Sequence, residues 1–402
     1  KIVFLSTLGS FAFVMAFLMF CHPGAALPQQ MPNDTEARIS RDIQFRQLFT
    51  IQTYGLIISL AALLLMLIAA GNEFLHSAYQ GDSESYVARV AETVFYPFFR
   101  IGFVACCISV LIDKITVSRI ISMLYYASVM LFILILGDRG GVALVGASGL
   151  VLFGLLRYAV KAWQLVVAFL LIGALFSFAG MARQSDERTL KSFAQRGLEE
   201  HASNNGAERP MFGAMQEYSH TALPALLMAV EEFPRQKPFF NGYFSMKGLV
   251  SIIPFHAKFF PSFGEETRYA GSAEYITWLF FGDSQWIING MGTTIVAEAF
   301  VDGGPVGVFC ALFLVGALGG FFYKNAKYKS LSADDVVLYS IYTSSFVLAT
   351  RAGGAGTLTR GVLWPMCIYY LLRVFGHSVK RRDKGEGSAL FRRVSRVGRQ
   401  AA

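Results

Sequence analysis

The chain has 402 residues, of which 54% are hydrophobic and only 15% are charged. So few charges cannot cover the surface of a soluble protein of this length, and the composition therefore predicts an integral membrane protein. The net charge of +8 could suit a nucleic-acid binder. The basic residues are concentrated in a C-terminal tail and in alternate loops, however, which is typical of membrane topology and excludes nucleic acid as the expected partner.

Nine apolar stretches are close to the length that crosses a bilayer as a helix, the conformation that satisfies its own backbone polar groups. They cover residues 2–20, 51–70, 94–112, 119–136, 142–158, 163–181, 305–323, 336–350 and 361–375. The predicted fold is an all-α polytopic integral membrane protein with about nine or more transmembrane helices. The first stretch could instead be a signal peptide cleaved near residues 24–26, but its length favours a retained helix.

The predicted spans divide the chain into four regions. Residues 1–181 and 305–376 carry the transmembrane helices, 182–304 form a large polar block, and 377–402 form a basic tail. The positive charge of this tail predicts a cytoplasmic C-terminus, and alternation of the spans then places the polar block on the outer face. We expect this block to be a mainly helical cap over a cavity between the spans.

Apolar and aromatic segments inside the block have their own expected positions. Residues 221–233 are apolar enough to lie on the bilayer surface, and the short patch 274–281 could re-enter the membrane. The aromatic residues of 239–263 suit either the membrane interface or stacking on sugar rings.

Three arginines border glycine-rich breaks on the predicted outer face. Arg139 lies at the end of a long apolar span, and Arg351 and Arg360 flank the loop 352–356. A guanidinium group can bind two phosphate oxygens at once, so the three arginines are candidates for a diphosphate site. The alternatives are contacts with lipid headgroups or, for Arg139, pairing with Asp138.

Acidic and histidine side chains supply candidates for proton transfer. Glu298 and Asp302 are four residues apart and share one helical face, where one could orient or deprotonate a sugar hydroxyl. The alternative is a helix end with solvated acids. His256 titrates near neutral pH and is a second candidate base, although a lone histidine is often structural. Neither a metal-ligand spacing nor a carboxylate cluster occurs in the sequence, so no metal or cofactor is predicted.

Several of these motifs together resemble a known family. Residues 253–258 read Ile-Pro-Phe-His-Ala-Lys, 297–300 read Ala-Glu-Ala-Phe, and 302–307 read Asp-Gly-Gly-Pro-Val-Gly before a span, with Arg139-Gly140 ending an earlier span. Their order and membrane placement resemble the Wzy-type O-antigen or oligosaccharide repeat-unit polymerases. The chain departs from the family in having Ala297 before the glutamate and Gly-Gly where Phe-Gly is common.

The resemblance implies a membrane glycosyltransferase of the bacterial inner membrane with its active site facing the periplasm. It would polymerise undecaprenyl-diphosphate-linked oligosaccharides for lipopolysaccharide or a similar surface polysaccharide, and a chain-length regulator protein could be a partner. The lack of a carboxylate cluster predicts that the transfer needs no metal, and a direct displacement would invert the anomeric carbon. Glu298 or His256 would accept the proton, and the three arginines would bind the diphosphate. The candidate sugar-binding residues are Lys258, Arg268, Asp302 and Trp286.

Two other classes stay open at this point. An O-antigen ligase has a comparable layout and differs in its acceptor. A lipid or polysaccharide transporter would place ionisable groups near mid-membrane and often contains internal repeats. The sequence contains no repeat, and Arg100 is the one charged residue well inside a predicted span.

Overall fold

A computed structural model describes residues 2–21, 34–77, 86–112, 116–135, 139–156, 224–250, 271–281, 293–329, 333–350 and 354–374. These residues form helices and short turns, and no strand occurs among them. The helices are α1 (Ile2–Cys21), α2 (Asp34–Ser77), α3 (Tyr86–Ile112), α4 (Val117–Ile135), α5 (Arg139–Leu156), α6 (224–232), α7 (Tyr243–Val250), α8 (Ser272–Phe281), α9 (Ile295–Lys324), α10 (Ala333–Ala349) and α11 (355–374). A π-helical turn, Asn325–Lys329, follows α9.

Five segments of these helices are long and apolar enough to cross a membrane. They are Ile2–Cys21, Leu48–Ala69, Val90–Leu111, Val117–Leu134 and Ile295–Lys327. The protein is therefore a helical membrane protein, as the composition predicts. Eight of the nine predicted spans fall on described helices, and the remaining one, 163–181, lies outside the described residues.

The helix boundaries differ most from the prediction at three places. α2 continues for 44 residues, about 66 Å at 1.5 Å per residue, so it extends well beyond a hydrocarbon core of about 30 Å. α3 starts at Tyr86 instead of residue 94. α9 starts at Ile295, ten residues before the predicted span, and the two acids in its first turns, Glu298 and Asp302, are buried there with their apolar neighbours.

Close backbone contacts hold the bundle together. A Cβ atom on Gly55 of α2 would lie 2.7 Å from the Cα of Gly102 in α3, so these helices approach at a point where both residues lack side chains. α1 packs along α9, with Phe13 stacked on Phe346 of α10 at 4.9 Å between ring centroids. Small residues at helix contacts are the usual means of close packing in membranes.

The described parts of the polar block form a second cluster on the first half of α9. Ala225, Ala229 and Phe233 from α6 and its end are buried there together with Tyr275 and Ile276 of α8. α6 therefore packs one face on protein, where the sequence predicts contact with the bilayer surface. α8 likewise packs into this second cluster, where the sequence predicts re-entry into the membrane.

The aromatic segment 239–263, which is described as far as residue 250, also packs on protein. The Phe240 ring contacts the rings of Phe244 and Tyr275 at 4.9 and 5.1 Å between centroids. Phe244 and Tyr275 are buried in the second cluster, and Phe240 packs against it. Aromatic packing of this kind, in edge-to-face geometry, supplies apolar contact where the sequence pattern predicts a membrane interface or a sugar-stacking surface.

Candidate functional site

The first half of α9 carries the two acids that the sequence singles out. Thr294 is the N-cap of the helix, and its hydroxyl accepts a hydrogen bond from the Ala297 amide at 3.0 Å. Glu298 and Asp302 follow one turn apart. Their side chains are 5% and 3% exposed, so the alternative of solvated acids at a helix end is wrong.

Glu298 binds the amino terminus of α11. Its Oε1 accepts from the Ala355 amide at 2.7 Å, and its Oε2 accepts from the Gly354 amide at 3.1 Å and from the Ser272 hydroxyl. Amides in the first turn of a helix have no partner within the helix, and the helix dipole favours negative charge there. Glu298 therefore acts as an N-terminal cap that is supplied by a different helix.

Asp302 caps the amino terminus of α7 in the same manner. Its Oδ1 accepts from the Phe244 amide at 3.0 Å, and its Oδ2 accepts from the Ser245 amide at 2.7 Å and the Ser245 hydroxyl at 2.6 Å. Both amides belong to the first turn of α7, which begins at Tyr243. One face of α9 thus caps two other helices.

A kink follows directly after Asp302 and fixes the turn before α7. Gly303 and Gly304 leave the helical conformation, and Pro305 has no amide hydrogen to give to the Val301 carbonyl. This carbonyl instead accepts from the Phe240 amide at 3.1 Å, and the Asp302 carbonyl accepts from the Gly242 amide at 3.2 Å. The carbonyls released by the kink therefore attach the turn that leads into α7.

A cavity of about 490 Å³ lies between these capped helices and the spans. Its walls come from α3, α7, the start of α8, the first turns of α9 and α11, and single residues of α5 and α10. Glu298 lines it, as do Lys247, Arg360 and Arg100. Among the described lining residues, three are basic and the only acid is already engaged as a cap.

Two of the basic residues lie on the capped helices. Lys247 of α7 is 9% exposed, and its Nζ lies 5.6 Å from the centre of the Tyr243 ring. Arg360 of α11 is exposed and borders the cavity. Each stands within two turns of the carboxylate that caps its helix.

The third basic residue, Arg100, is buried at the middle of the α3 span with 1% of its surface exposed. Its guanidinium donates to oxygen atoms of three other helices: Ser148 Oγ (3.3 Å), Gly361 O (2.7 Å), Ile341 O (2.5 Å), Ser344 Oγ and Ser345 Oγ (3.0 Å). All these acceptors are neutral. Arg100 thus keeps a full positive charge next to the cavity, in the part of a membrane protein where charge is most expensive.

Pro365 explains one of these bonds. A residue four positions after Gly361 would normally donate its amide to the Gly361 carbonyl, but Pro365 has no amide hydrogen. The Arg100 guanidinium donates to this carbonyl instead. The sequence contains both clues, a charge well inside a span and a proline inside a helix, but Arg100 was not predicted as a site residue, and neither was Lys247.

The structure places only some of the predicted site residues. Arg360 and Glu298 line the cavity, whereas Asp302 caps α7. Arg139 is the first residue of α5, and its side chain is outside the described part. The remaining candidates lie outside the described residues: Arg351, His256, Lys258, Arg268 and Trp286.

Fold and site together define a helical membrane protein whose described helices line a basic cavity. Comparisons of the chain with protein-family models, with curated proteins and with solved structures return no match.

Proposed function

We propose that this protein is a membrane glycosyltransferase that joins undecaprenyl-diphosphate-linked oligosaccharide repeat units into O-antigen or a similar polysaccharide. The reaction would take place at the periplasmic face of the bacterial inner membrane. The observation that carries the proposal is the cavity among the spans, lined by Arg100, Lys247 and Arg360. A lipid diphosphate has its negative charge at the head of a membrane anchor, so it can bring that charge to such a cavity.

The basic lining suits the leaving group of this reaction. Nucleotide sugars are absent outside the cytoplasm, so a sugar donor used there must bring its own leaving group. Undecaprenyl diphosphate is such a group, and cations near it stabilise the negative charge that develops as the C1–O bond breaks. In a site with little water, each fixed charge has a larger effect than it would have in solution.

The proposed chemistry is a direct displacement. A hydroxyl oxygen of the terminal sugar of one repeat unit attacks the anomeric carbon of the growing chain and forms the new glycosidic bond. The bond from that carbon to the diphosphate oxygen breaks, undecaprenyl diphosphate leaves with the electron pair, and the configuration inverts. The hydroxyl proton passes to a base, for which Glu298 and His256 are the candidates.

The other residues receive roles that follow from their chemistry. Arg360, with Arg139 and Arg351, is proposed to bind the diphosphate, and Arg100 and Lys247 extend the positive lining. Sugar contacts are proposed for the candidates predicted from the sequence: Lys258, Arg268, Asp302 and Trp286. The carboxylate of Asp302 already accepts three hydrogen bonds, so its contact with a sugar would be through a remaining lone pair.

The direct test is turnover of a purified undecaprenyl-diphosphate repeat unit by the full chain, with and without EDTA, followed as a ladder on a gel. We expect a ladder of increasing length that survives the chelator. Transfer that occurs only after addition of a lipid A core acceptor would assign the chain to the ligases. Absence of product in both assays, with movement of the labelled lipid across a vesicle membrane, would support a transporter.

A pair of variants tests the role of the cavity. Arg360→Ala removes one lining cation, and removal of a single group that stabilises transition-state charge typically lowers turnover by about 10²–10³-fold. Lys327→Ala is the matched control, because Lys327 is an exposed basic residue on the π-helical turn and does not line the cavity. We expect normal ladders from the control. Normal ladders from Arg360→Ala would contradict the proposed site.

A further inference from the structure

We infer that Glu298 and Asp302 are positioning residues, which hold the cavity cations Arg360 and Lys247 in place by capping the helices that carry them. Glu298 would then not be the proton acceptor. The role in turnover rests on the function proposed above, whereas the capping role can be tested without it.

Both capping carboxylates belong to α9, so this one helix fixes the starts of α7 and α11. Residues four apart on a helix lie on the same face, one turn above the other. Glu298 therefore reaches α11 and Asp302 reaches α7 from one side of one helix. Each carboxylate accepts three hydrogen bonds, of which two come from backbone amides at the start of the capped helix. The third comes from a hydroxyl, that of Ser245 in α7 for Asp302 and that of Ser272 in α8 for Glu298.

The two capped helices also touch each other. A Cβ atom on Gly248 of α7 would lie 2.5 Å from the Gly356 amide nitrogen in the first turn of α11. A Cβ atom on Gly354 would lie 2.5 Å from Oε1 of Glu298. Glycine at these positions allows the two helix starts to meet beside the acids, so a shift of one helix would be transmitted to the other.

Arg360 and Lys247 lie a few residues after the capped amides of their helices. Arg360 follows Ala355, the first residue of α11, by five residues, which is about 7.5 Å along the helix axis. Lys247 follows Ser245 by two residues. Both side chains therefore project into the cavity from helix turns that the carboxylates hold, and a small displacement of either turn would move a cation away from the diphosphate.

The hydrogen bonds of Glu298 argue against its use as a base. The two oxygens of Glu298 already accept three hydrogen bonds, from the first turn of α11 and from Ser272, so a proton taken from a substrate would share an oxygen with a bond of the cap. Protonation would weaken the cap at the moment when the leaving group needs Arg360. The same carboxylate also lowers the positive potential of the cavity, so its presence there calls for a structural reason.

Three explanations of Glu298 predict different kinetics for Glu298→Gln. If the carboxylate only opposed the cations, its removal would strengthen diphosphate binding and lower KM. If it were the base, turnover would fall by about 10²–10⁴-fold and the acidic limb of the pH–rate profile would disappear. If it is a positioning residue, kcat falls by about tenfold because glutamine keeps one acceptor oxygen, and the shape of the profile is unchanged.

Asp302 provides the matched variants, because it caps α7 without lining the cavity. Asparagine is a good capping residue and alanine is not. We therefore expect Asp302→Ala to lose about tenfold or more in turnover, and Asp302→Asn to lose markedly less than Asp302→Ala. Equal turnover in the alanine variant and the wild type would overturn the positioning role of Asp302. Loss of the acidic limb in Glu298→Gln would overturn that of Glu298.

Hydrogen exchange followed by mass spectrometry tests the caps without any substrate. In Glu298→Ala we expect exchange in peptides that cover 354–362 to accelerate by about tenfold or more, and in Asp302→Ala the same for 239–250. Gly146→Ala is the control, since a Cβ there would meet only Met130 Cε, at 3.9 Å. Unchanged exchange in both alanine variants would overturn the inference. Accelerated exchange in the alanine variants, together with no turnover by the wild type, would overturn only the proposed function.

Discussion

Replacement of Arg100 by methionine distinguishes a cation kept for function from one kept for stability. Methionine is apolar and matches the arginine side chain as far as Nε, so the variant removes the charge and keeps the packing of the aliphatic stem. We expect the variant to fold with nearly wild-type stability and to lose about 10²-fold or more in turnover. A residue with five hydrogen bonds would usually be assigned a structural role, which makes the outcome informative.

The change in the free energy of unfolding depends on which hydrogen bonds the neighbours of Arg100 keep in the variant. The three serine hydroxyls that it contacts also donate to backbone carbonyls of their own helices: Ser148 to Leu144 (2.9 Å), Ser344 to Ser340 (2.7 Å) and Ser345 to Ile341 (2.7 Å). The Ile341 carbonyl, which Arg100 also contacts, retains the Ser345 hydroxyl as a donor. Only the Gly361 carbonyl loses a donor that nothing else in the helix can replace, because of Pro365.

These contributions can be compared directly. An arginine at the middle of a membrane costs about 2.5–3.5 kcal/mol, and the methionine variant recovers this. The unsatisfied Gly361 carbonyl costs about 1–3 kcal/mol. The free energy of unfolding should therefore change by between a loss of about 0.5 and a gain of about 2.5 kcal/mol. Chemical unfolding of the purified protein in detergent, followed by circular dichroism, measures this change.

A double-mutant cycle with Pro365→Ala tests the reasoning behind these numbers. Alanine at 365 supplies the missing amide to the Gly361 carbonyl. This amide should stabilise the methionine variant by about 1–3 kcal/mol more than it stabilises the wild type, where Arg100 already donates. The reasoning is refuted if Arg100→Met lowers the free energy of unfolding by more than about 3 kcal/mol, or if the two substitutions are additive.

Two further predictions concern glycines at helix contacts. Gly248→Ala places a Cβ atom against the backbone of Gly356, so we expect a loss of about 1–3 kcal/mol in the free energy of unfolding; an unchanged midpoint in chemical unfolding would contradict that contact. Gly304 has φ 62° and ψ −151°, a conformation open almost only to glycine, and a Cβ there would lie 2.9 Å from the Phe239 ring. Gly304→Ala should therefore destabilise the protein by about 1–3 kcal/mol or more; equal thermal stability of variant and wild type would show that the kink tolerates a side chain.

The sequence predicts helical membrane segments because hydrophobicity is a local property of the chain. Eight of the nine apolar stretches fall on described helices, and five segments of these helices are long and apolar enough to cross a membrane. The start of α9 was misplaced for a physical reason. Glu298 and Asp302 look like solvent-facing residues in the sequence, whereas the structure buries them against amides that lie 56 to 58 residues away.

The candidate site shows the same division between local and distant information. Arg360 was predicted because its glycine-rich flank is visible in the sequence, and it lines the cavity. Lys247 and Arg100 reach the same cavity from helices far apart in the chain, and no local pattern marks that convergence. The pairing of Pro365 with Arg100 could have been suspected from a freed carbonyl and a lone charge within spans, but the partner could not be chosen from the sequence.

The contact between Glu298 and Gly354 has a consequence for how this chain can change over evolutionary time. A side chain at 354 would occupy the position of the carboxylate oxygen, so neither residue can be replaced freely while the other stays. In a set of related sequences the two positions should vary together, with glycine at 354 wherever position 298 is acidic. The same coupling should link 248 with 356, and both pairs would then identify relatives that share this cavity even where the surrounding spans have diverged.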